Sequence, residues 1–406
     1  MSTPVLEKPG FLRSAFGGLP RPFWALWGGT LVNRLGTMVL PFTGVYLTQE
    51  RGLSVAAAGV VMAVFGAGSL VSQLGAGVLA DRIGRRATLA GGMLATAATM
   101  LWLGASSSLA MITTAMFVLG VVIDAYRPAT NALVADLVSP QERPRAYGLL
   151  FWAINLGYAF GMTAGGRLAG MGFSWLFWID AATCVAFAAL VWRAVPETRP
   201  VGREAGGGFG VVLRDRVMVA FTLVMLGNAL MYSQTVTMLP VAMTRVVGIP
   251  SGDFGLAMAL NGVIIVLAQP LVSGWIGRRD PARMLALGLM IMAAGFGLTA
   301  FVTSVAGLVA TIVVWTSGEI VTAGIAGTVV ARLAPPHLRG RYAGLEGFPW
   351  SVSAVLGPLF GGLLLGVSPQ ALWFTVGGLG LASAAGMLAL GPAIRRRGQV
   401  IPLHRR

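Results

Sequence analysis

Four charged side chains sit where charge is costly. Arg34 in LVNRLGTMVLP, Asp124 and Arg127 in VVIDAYRPATN and Glu319 in TSGEIVTAG all fall deep inside long apolar stretches. In hydrocarbon an ionisable group is retained only beside a partner or a watery cavity, so each marks a candidate site. Arg34 and Asp124 each lie about 12 residues from the same end of their stretches, roughly 18 Å deep at 1.5 Å per residue, and equal depth permits an ion pair. Arg127 stands one turn from Asp124 and offers a second, intrahelical partner. A carboxylate that changes its arginine partner changes its proton occupancy. Asp124 is therefore the first candidate for a proton carrier, with Arg34 and Arg127 as its partners and Glu319 as the second carboxylate. The plainer reading stands beside it: these charges simply satisfy one another. Asp180 and Glu346, nearer the ends of their stretches, read as structural.

A second group could hold a ligand. Asn33, Asn155, Tyr232, Gln234 and Asn261 carry polar tips within apolar runs, as groups that orient a ligand in a mostly apolar cavity do. Met38, Met238, Trp152 and Phe348 could form adaptable walls. Polar packing between helices and contact with lipid account for the same residues equally well. Other chemistries lack their parts. Lys8 is the only lysine, which rules out a phosphate-binding P-loop, and His337, His404 and Cys184 form no metal constellation. No enzyme activity, metal or cofactor is expected; a proton gradient would supply the driving force.

The elements that must position these residues follow from composition. The chain has 406 residues, 56% of them hydrophobic, with a mean hydropathy of +0.79. These values belong to chains that cross a bilayer many times. Apolar windows recur at about 24–48, 55–80, 87–106, 108–133, 146–168 and 174–194, then at about 218–245, 253–276, 283–303, 306–331, 344–366 and 370–392. This predicts an all-α protein with twelve transmembrane helices. The first 21 residues contain no apolar core of signal-peptide length, so no cleavage is expected. The single cysteine leaves no disulfide framework.

A net charge of +15 raises the question of nucleic acid, and the placement of the charge answers it. With the amino terminus in the cytoplasm, 24 of the 29 Lys and Arg fall in the termini and cytoplasmic loops, while Arg51, Arg167 and Arg245 alone would face outward. That is the positive-inside bias. The expected partners are lipid, protons and a small-molecule substrate, with no nucleic acid, and the protein is expected to act as a monomer.

Slid against itself by 196 residues, the sequence matches without gaps. LVSPQERPRAYGLLFWAINLGYAFGMTAGG (137–166) lies over LAPPHLRGRYAGLEGFPWSVSAVLGPLFGG (333–362), with Arg143 over Arg339 and Gly166 over Gly362. The expected organisation is a cytoplasmic segment 1–22, a six-helix bundle 23–196, a cytoplasmic loop 197–216, a second bundle 217–393 and a basic tail 394–406. Two parallel halves with a site between them are the layout of a secondary transporter.

In this context GVLADRIGRR (77–86) becomes the loop between the second and third helices. Gly77, Asp81, Arg82, Gly84, Arg85 and Arg86 resemble the G-x-x-x-D-R-x-G-R-R signature of the major facilitator superfamily. In the fifth helix Gly157, Gly161, Gly165 and Gly166 are similar to that superfamily's antiporter signature, although Met162 stands where the signature has proline. The copy at Gly357, Pro358, Gly361 and Gly362 keeps the proline. PETR at 196–199 also resembles the family. The resemblance covers nearly the whole chain and points to twelve-helix drug:proton antiporters, while one lysine beside 28 arginines suggests a GC-rich bacterial genome and hence an inner (plasma) membrane with both termini cytoplasmic. It implies a fold of two pseudo-symmetric six-helix bundles, alternating access, and a cytoplasmic latch at Asp81 holding the outward-facing state against the eleventh helix. The second copy of the loop has Gly277 over Asp81, so the latch would be one-sided. The function this implies is proton-coupled efflux of small hydrophobic or amphipathic compounds. Proton-coupled import of a small polar nutrient, or a non-transporting membrane sensor, are the alternatives.

Overall fold

Apolar runs of about 20 residues must satisfy every backbone amide and carbonyl internally once water is excluded, which leaves the helix as the local solution. The computed structural model describes residues 18–123, 126–139, 142–198, 210–276, 278–323, 325–335 and 338–400, and among these residues the chain is helical with no strand. Asp124 lies outside the described residues, as do the surroundings of Gly77 and the side chains of Asp81, Arg82 and Arg127.

Nine helices among the described residues are long and apolar enough to cross a membrane. They are the second (Val55–Ile83), third (Arg85–Ala105), sixth (Ser174–Ala194), eighth (Ser251–Ile276), ninth (Pro281–Leu298), eleventh (Arg339–Val367) and twelfth (Pro369–Val400) spans, with the seventh and tenth, which are built from segments. The remaining three spans depart from the simple pattern. The first is interrupted, running Arg21–Gly36 and then Val39–Val45. The fourth consists of Leu109–Ile123 and Tyr126–Leu137, and the fifth (Arg143–Met171) carries arginines near both ends. The seventh span is likewise interrupted, with Arg216–Ser233 followed by Met238–Val241, and the tenth consists of Val305–Thr322 and Ile325–Leu333.

The sequence repeat is visible in the backbone. Val55 and Ser251, Arg85 and Pro281, Leu109 and Val305, and Arg143 and Arg339 start corresponding helices, each pair 196 positions apart. The first and seventh spans both end in a π-helical turn, Tyr46–Glu50 and Ala242–Val246. The following loops turn at Gly52 and Gly248, with φ of 66° and 84°, which only glycine adopts without strain. Within each π segment a threonine returns its hydroxyl to a carbonyl one turn back: Thr48 to Gly44 at 2.8 Å and Thr244 to Pro240 at 2.7 Å.

The halves meet along two symmetry-related seams near the arginine-poor face. A Cβ on Gly362 would stand 3.0 Å from the Gly59 Cα, and one on Gly255 would stand 3.1 Å from the Gly166 Cα. Bare backbones therefore touch where the second span crosses the eleventh and the fifth crosses the eighth. Phe42 of the first span sits edge-on to Phe254 of the eighth, at 6.1 Å between ring centres.

On the arginine-rich face each half is braced internally. Glu197 of PETR caps the third span, accepting from the amides of Arg86 (2.9 Å) and Ala87 (3.0 Å) beneath the left-handed Gly84. Arg85 pairs with Asp136, and Arg86 lies 4.7 Å from the centre of the Trp192 ring. At the equivalent place in the second half Asp280 caps the ninth span itself, bonded to the Arg283 amide at 2.9 Å, and pairs with Arg395 at 3.4 Å. Asp215 joins three spans: it caps the seventh through the Val217 amide (3.0 Å), accepts from Tyr342 of the eleventh (2.8 Å) and pairs with Arg397 of the twelfth.

Candidate functional site

The breaks in the seventh and tenth spans place polar side chains at the centre of the second half. Tyr232 lies in the last turn before the seventh span breaks, and Glu319 lies one turn before the tenth does. The Glu319 carbonyl accepts from the Ala323 amide and the Thr322 hydroxyl, both at 2.9 Å, which closes the helix end. Its carboxylate receives the Tyr232 hydroxyl at Oε1 (2.9 Å) and the Asn261 Nδ2 at Oε2 (2.9 Å). Asn261 also donates to Thr316 Oγ1 at 3.0 Å, so its orientation is fixed by two residues on one face of the tenth span. Close packing of Gly288 against Gly318 holds the ninth and tenth spans together behind Glu319.

Glu319 and Tyr232 line a cavity of about 450 Å³ shared with Asn228, Gln269, Glu346 and Trp350. Phe151 of the fifth span contributes a wall from the first half. Tyr232 stands edge-on to Trp350, 5.7 Å between ring centres. Asn228 Oδ1 and Gln269 Oε1 are buried and make no hydrogen bond with the described residues. Two donors address the ionised form of Glu319. When the carboxyl takes a proton at Oε1, the Tyr232 hydroxyl can reverse and accept, because a phenol does both, whereas the Asn261 amide nitrogen can only donate. Protonation thus redirects one specific hydrogen bond.

The other sequence candidates fall in several places. Arg34 lies 5.0 Å from the centre of the Tyr126 ring and packs its Cβ against Gly157 of the fifth span. Asn33 donates to the Cys184 sulfur at 3.3 Å, and Cys184 approaches Asp180 at 3.7 Å, so this buried chain ties the first span to the sixth. Met38 and Met238 are buried at the two breaks, against Gly165 and Gly361. Gln234 donates to the Gly357 carbonyl at 3.2 Å and is buried between the seventh and eleventh spans, away from the cavity. Asn155 donates to the Phe151 carbonyl at 2.9 Å, while Trp152 and Phe348 are exposed. Gly161 meets the Arg34 carbonyl, Gly357 meets Ser233, and the Pro358 carbonyl faces Gly59 across the seam.

The structure thus brings together Tyr232, Asn261 and Glu319 of the candidates. Sequence reasoning missed Asn228, Gln269, Trp350 and Phe151, and read Glu346 as structural. The signal for Asn228 and Gln269 was present, since each is a lone amide in an apolar run.

A sequence profile of the Major Facilitator Superfamily matches residues 26–345 and 221–403. The chain is 27% identical over 374 residues to the multidrug resistance protein MdtH of Yersinia pestis (strain Pestoides F), covering 90% of this chain and 93% of that one. It is 24% identical over 353 residues to the uncharacterized MFS-type transporter YqjV of Bacillus subtilis (strain 168), covering 84% and 86%. Among solved structures it resembles the peptide transporter POT in complex with sulfate, with a TM-score of 0.79 at 17% identity over 94% of this chain and 96% of that one. The human organic anion transporter MFSD10 superposes with a TM-score of 0.66 at 18% identity, covering 90% and 99%.

Proposed function

From the premise that this chain belongs to the major facilitator superfamily and is a multi-pass membrane transporter, we propose that it expels small hydrophobic or amphipathic compounds in exchange for protons by alternating access. The observation that carries this reading is Glu319: a membrane-embedded carboxylate held by two neutral donors, with no cation among the described residues lining its cavity. A group so placed can gain and lose a proton without breaking an ion pair, and its aromatic and methionine surroundings suit apolar ligands. The likeness to a multidrug resistance protein at 27% identity supports export. Asp124, with Arg34 and Arg127, is proposed as a second proton station in the first half. The arginine-rich face is proposed to be cytoplasmic, and one chain contains the whole cavity, so a monomer suffices.

Met162, standing in place of the antiporter proline, keeps open the competing reading of proton-coupled import. Proteoliposomes with an imposed pH gradient and a varied compound panel test both. Outward movement of hydrophobic compounds against proton entry is expected; gradient-driven accumulation of a polar nutrient would replace export by import. Loss of the pH response in Glu319→Gln identifies the second-half carrier, and its loss in Asp124→Asn the first-half one.

A further inference from the structure

The fifth, eighth and tenth spans leave an apolar groove on the surface that lipid covers, apart from the cavity that holds Glu319. Gly255 against Gly166, and Gly262 against Ala159, bring the fifth and eighth backbones close together. Buried Ala159 and Ala257 form a low floor there, while the larger Phe160 and Leu256 stand exposed beside it. Val305 and Val309 of the tenth span complete a groove of about 510 Å³. Along the eighth span its lining runs from Asp253 through Leu256 and Leu260 to Val263, spacings of three and four that keep to one helix face. At 1.5 Å per residue that run is roughly 15 Å long, half of the about 30 Å hydrocarbon core and so the depth of one leaflet.

The groove opens at the arginine-poor face, where its rim is charged. Asp253 lies in the first turn of the eighth span, and Arg167 lies on the fifth one turn beyond Thr163, which lines the groove. A Cβ on Gly252 would stand 3.9 Å from Arg167 Cγ, so Arg167 and Asp253 flank one point of the seam, one from each half. Both side chains are exposed, and neither makes a hydrogen bond or ion pair among the described residues, which include every loop of this face. Arg51, on the same face, is instead held by the Tyr46 hydroxyl at 2.7 Å. The fold does not demand the two rim charges, because the matching positions of the repeat, Ala57 and Leu363, are apolar.

We infer that this groove binds a phospholipid with a primary ammonium headgroup, a phosphatidylethanolamine: one acyl chain lies along the groove, the ammonium donates to the Asp253 carboxylate and the phosphate accepts from Arg167. Groove length, apolar floor and adjacent opposite charges each match one part of that molecule. A choline headgroup has no N–H to donate, and a glycerol headgroup brings no cation to Asp253. Because Arg167 belongs to the first half and Asp253 to the second, the lipid bridges the halves across the contact of Gly166 with Gly255. Its binding therefore favours the state in which that seam is closed.

The test uses the purified full-length protein in phosphatidylcholine nanodiscs containing a small fraction of photoreactive lipid, either a phosphatidylethanolamine or a phosphatidylcholine with a diazirine in one acyl chain. After illumination, adducts on segments 156–163 and 253–263 are quantified by mass spectrometry. The ethanolamine probe should label these segments about fivefold or more above the choline probe, and Asp253→Asn should remove most of that difference. Glu50→Gln, which changes an exposed acid of the same face that does not line the groove, should leave the difference as in the parent protein. Equal labelling of the two segments by both probes in the parent protein, or an undiminished difference in Asp253→Asn, overturns the inference. If Asp253→Asn does not fold, competition in the parent protein decides: unlabelled phosphatidylethanolamine should suppress labelling by the ethanolamine probe and the same fraction of phosphatidylglycerol should not, and equal suppression by the two overturns the inference. Labelling requires no flux, so this outcome is independent of the direction of transport.

Discussion

At the scale of single residues, the Glu319 cluster makes binding and coupling separable. Glu319→Gln keeps the size of the side chain but cannot load a proton. Gradient-driven flux should fall to near the background of empty liposomes, while ligand binding in nanodiscs survives. Retained flux with a full pH response would make Glu319 structural and leave Asp124 as the carrier. Tyr232→Phe keeps the ring against Trp350 and removes one charge-assisted hydrogen bond, a contribution of about 1.5–3 kcal/mol. Coupling should weaken in that variant, read as flux per unit pH gradient, with the cavity otherwise intact. The sequence revealed Tyr232, Asn261 and Glu319 individually, because a polar group in an apolar run is costly and therefore rare. It could not reveal that they converge, since convergence depends on how the seventh, eighth and tenth spans cross. Nor could it choose between Tyr232 and Gln234. Residues two apart on a helix point about 200° apart, and the structure turns Tyr232 into the cavity and Gln234 onto the eleventh span.

Elements are joined by contacts of two kinds, and each predicts a different failure. Burial pushes the Asp215 carboxyl upward, but bonds from Arg397, Tyr342 and the Met218 amide outweigh that and hold it below its ordinary range. A carboxyl with a depressed folded-state pKa adds stability above its unfolded value of about 3.9, and that stability is lost as the pH falls through the folded value. Asn caps a helix as well as Asp does. Asp215→Asn should therefore cost about 1–2 kcal/mol at neutral pH, mostly through Arg397, which is itself half-exposed. The melting difference from the parent protein should shrink below about pH 4. The seams fail differently. At Gly59 an added Cβ meets the Pro358 carbonyl at 2.5 Å, and backbone cannot step aside. Gly59→Leu should hold the arginine-poor side open, so that a cysteine placed at Phe151 becomes reactive from that side; unchanged protection would show that closure does not depend on the seam. The repeat was legible in the sequence because helix starts, the glycines at 52 and 248 and the seam glycines repeat at one spacing. The interruptions after Gly36, Ser233 and Thr322 were not, since each lies within a run apolar enough to read as one continuous span.

For the whole molecule, charge placement determines which way the fold sits in the membrane, and this is independent of any single contact. The twelve spans carry the chain back and forth so that the loops at 83–85, 137–143, 194–216, 276–281 and 333–339 share one face, and the loops at 50–55, 105–109, 171–174, 246–251, 301–305 and 367–369 share the other. Arginines concentrate on the first of these faces, where they also serve the braces at Asp136, Asp215 and Asp280. Positive loops are retained on the cytoplasmic side during insertion, so this face should be cytoplasmic. Reporter fusions after residues 142, 205 and 400 should then report cytoplasm, and a fusion within 105–108 should report the exterior. The same orientation sets the direction of chemistry: the seams at Gly59–Gly362 and Gly166–Gly255 would close the outer side, and the cavity holding Glu346 would load from the cytoplasm, as an exporter requires. Removing arginines from the 83–85 and 276–281 loops together should weaken the bias at both halves and yield mixed reporter signals. A cytoplasmic signal at 105–108 in the parent protein would reverse the orientation, and export would become import through the same cavity.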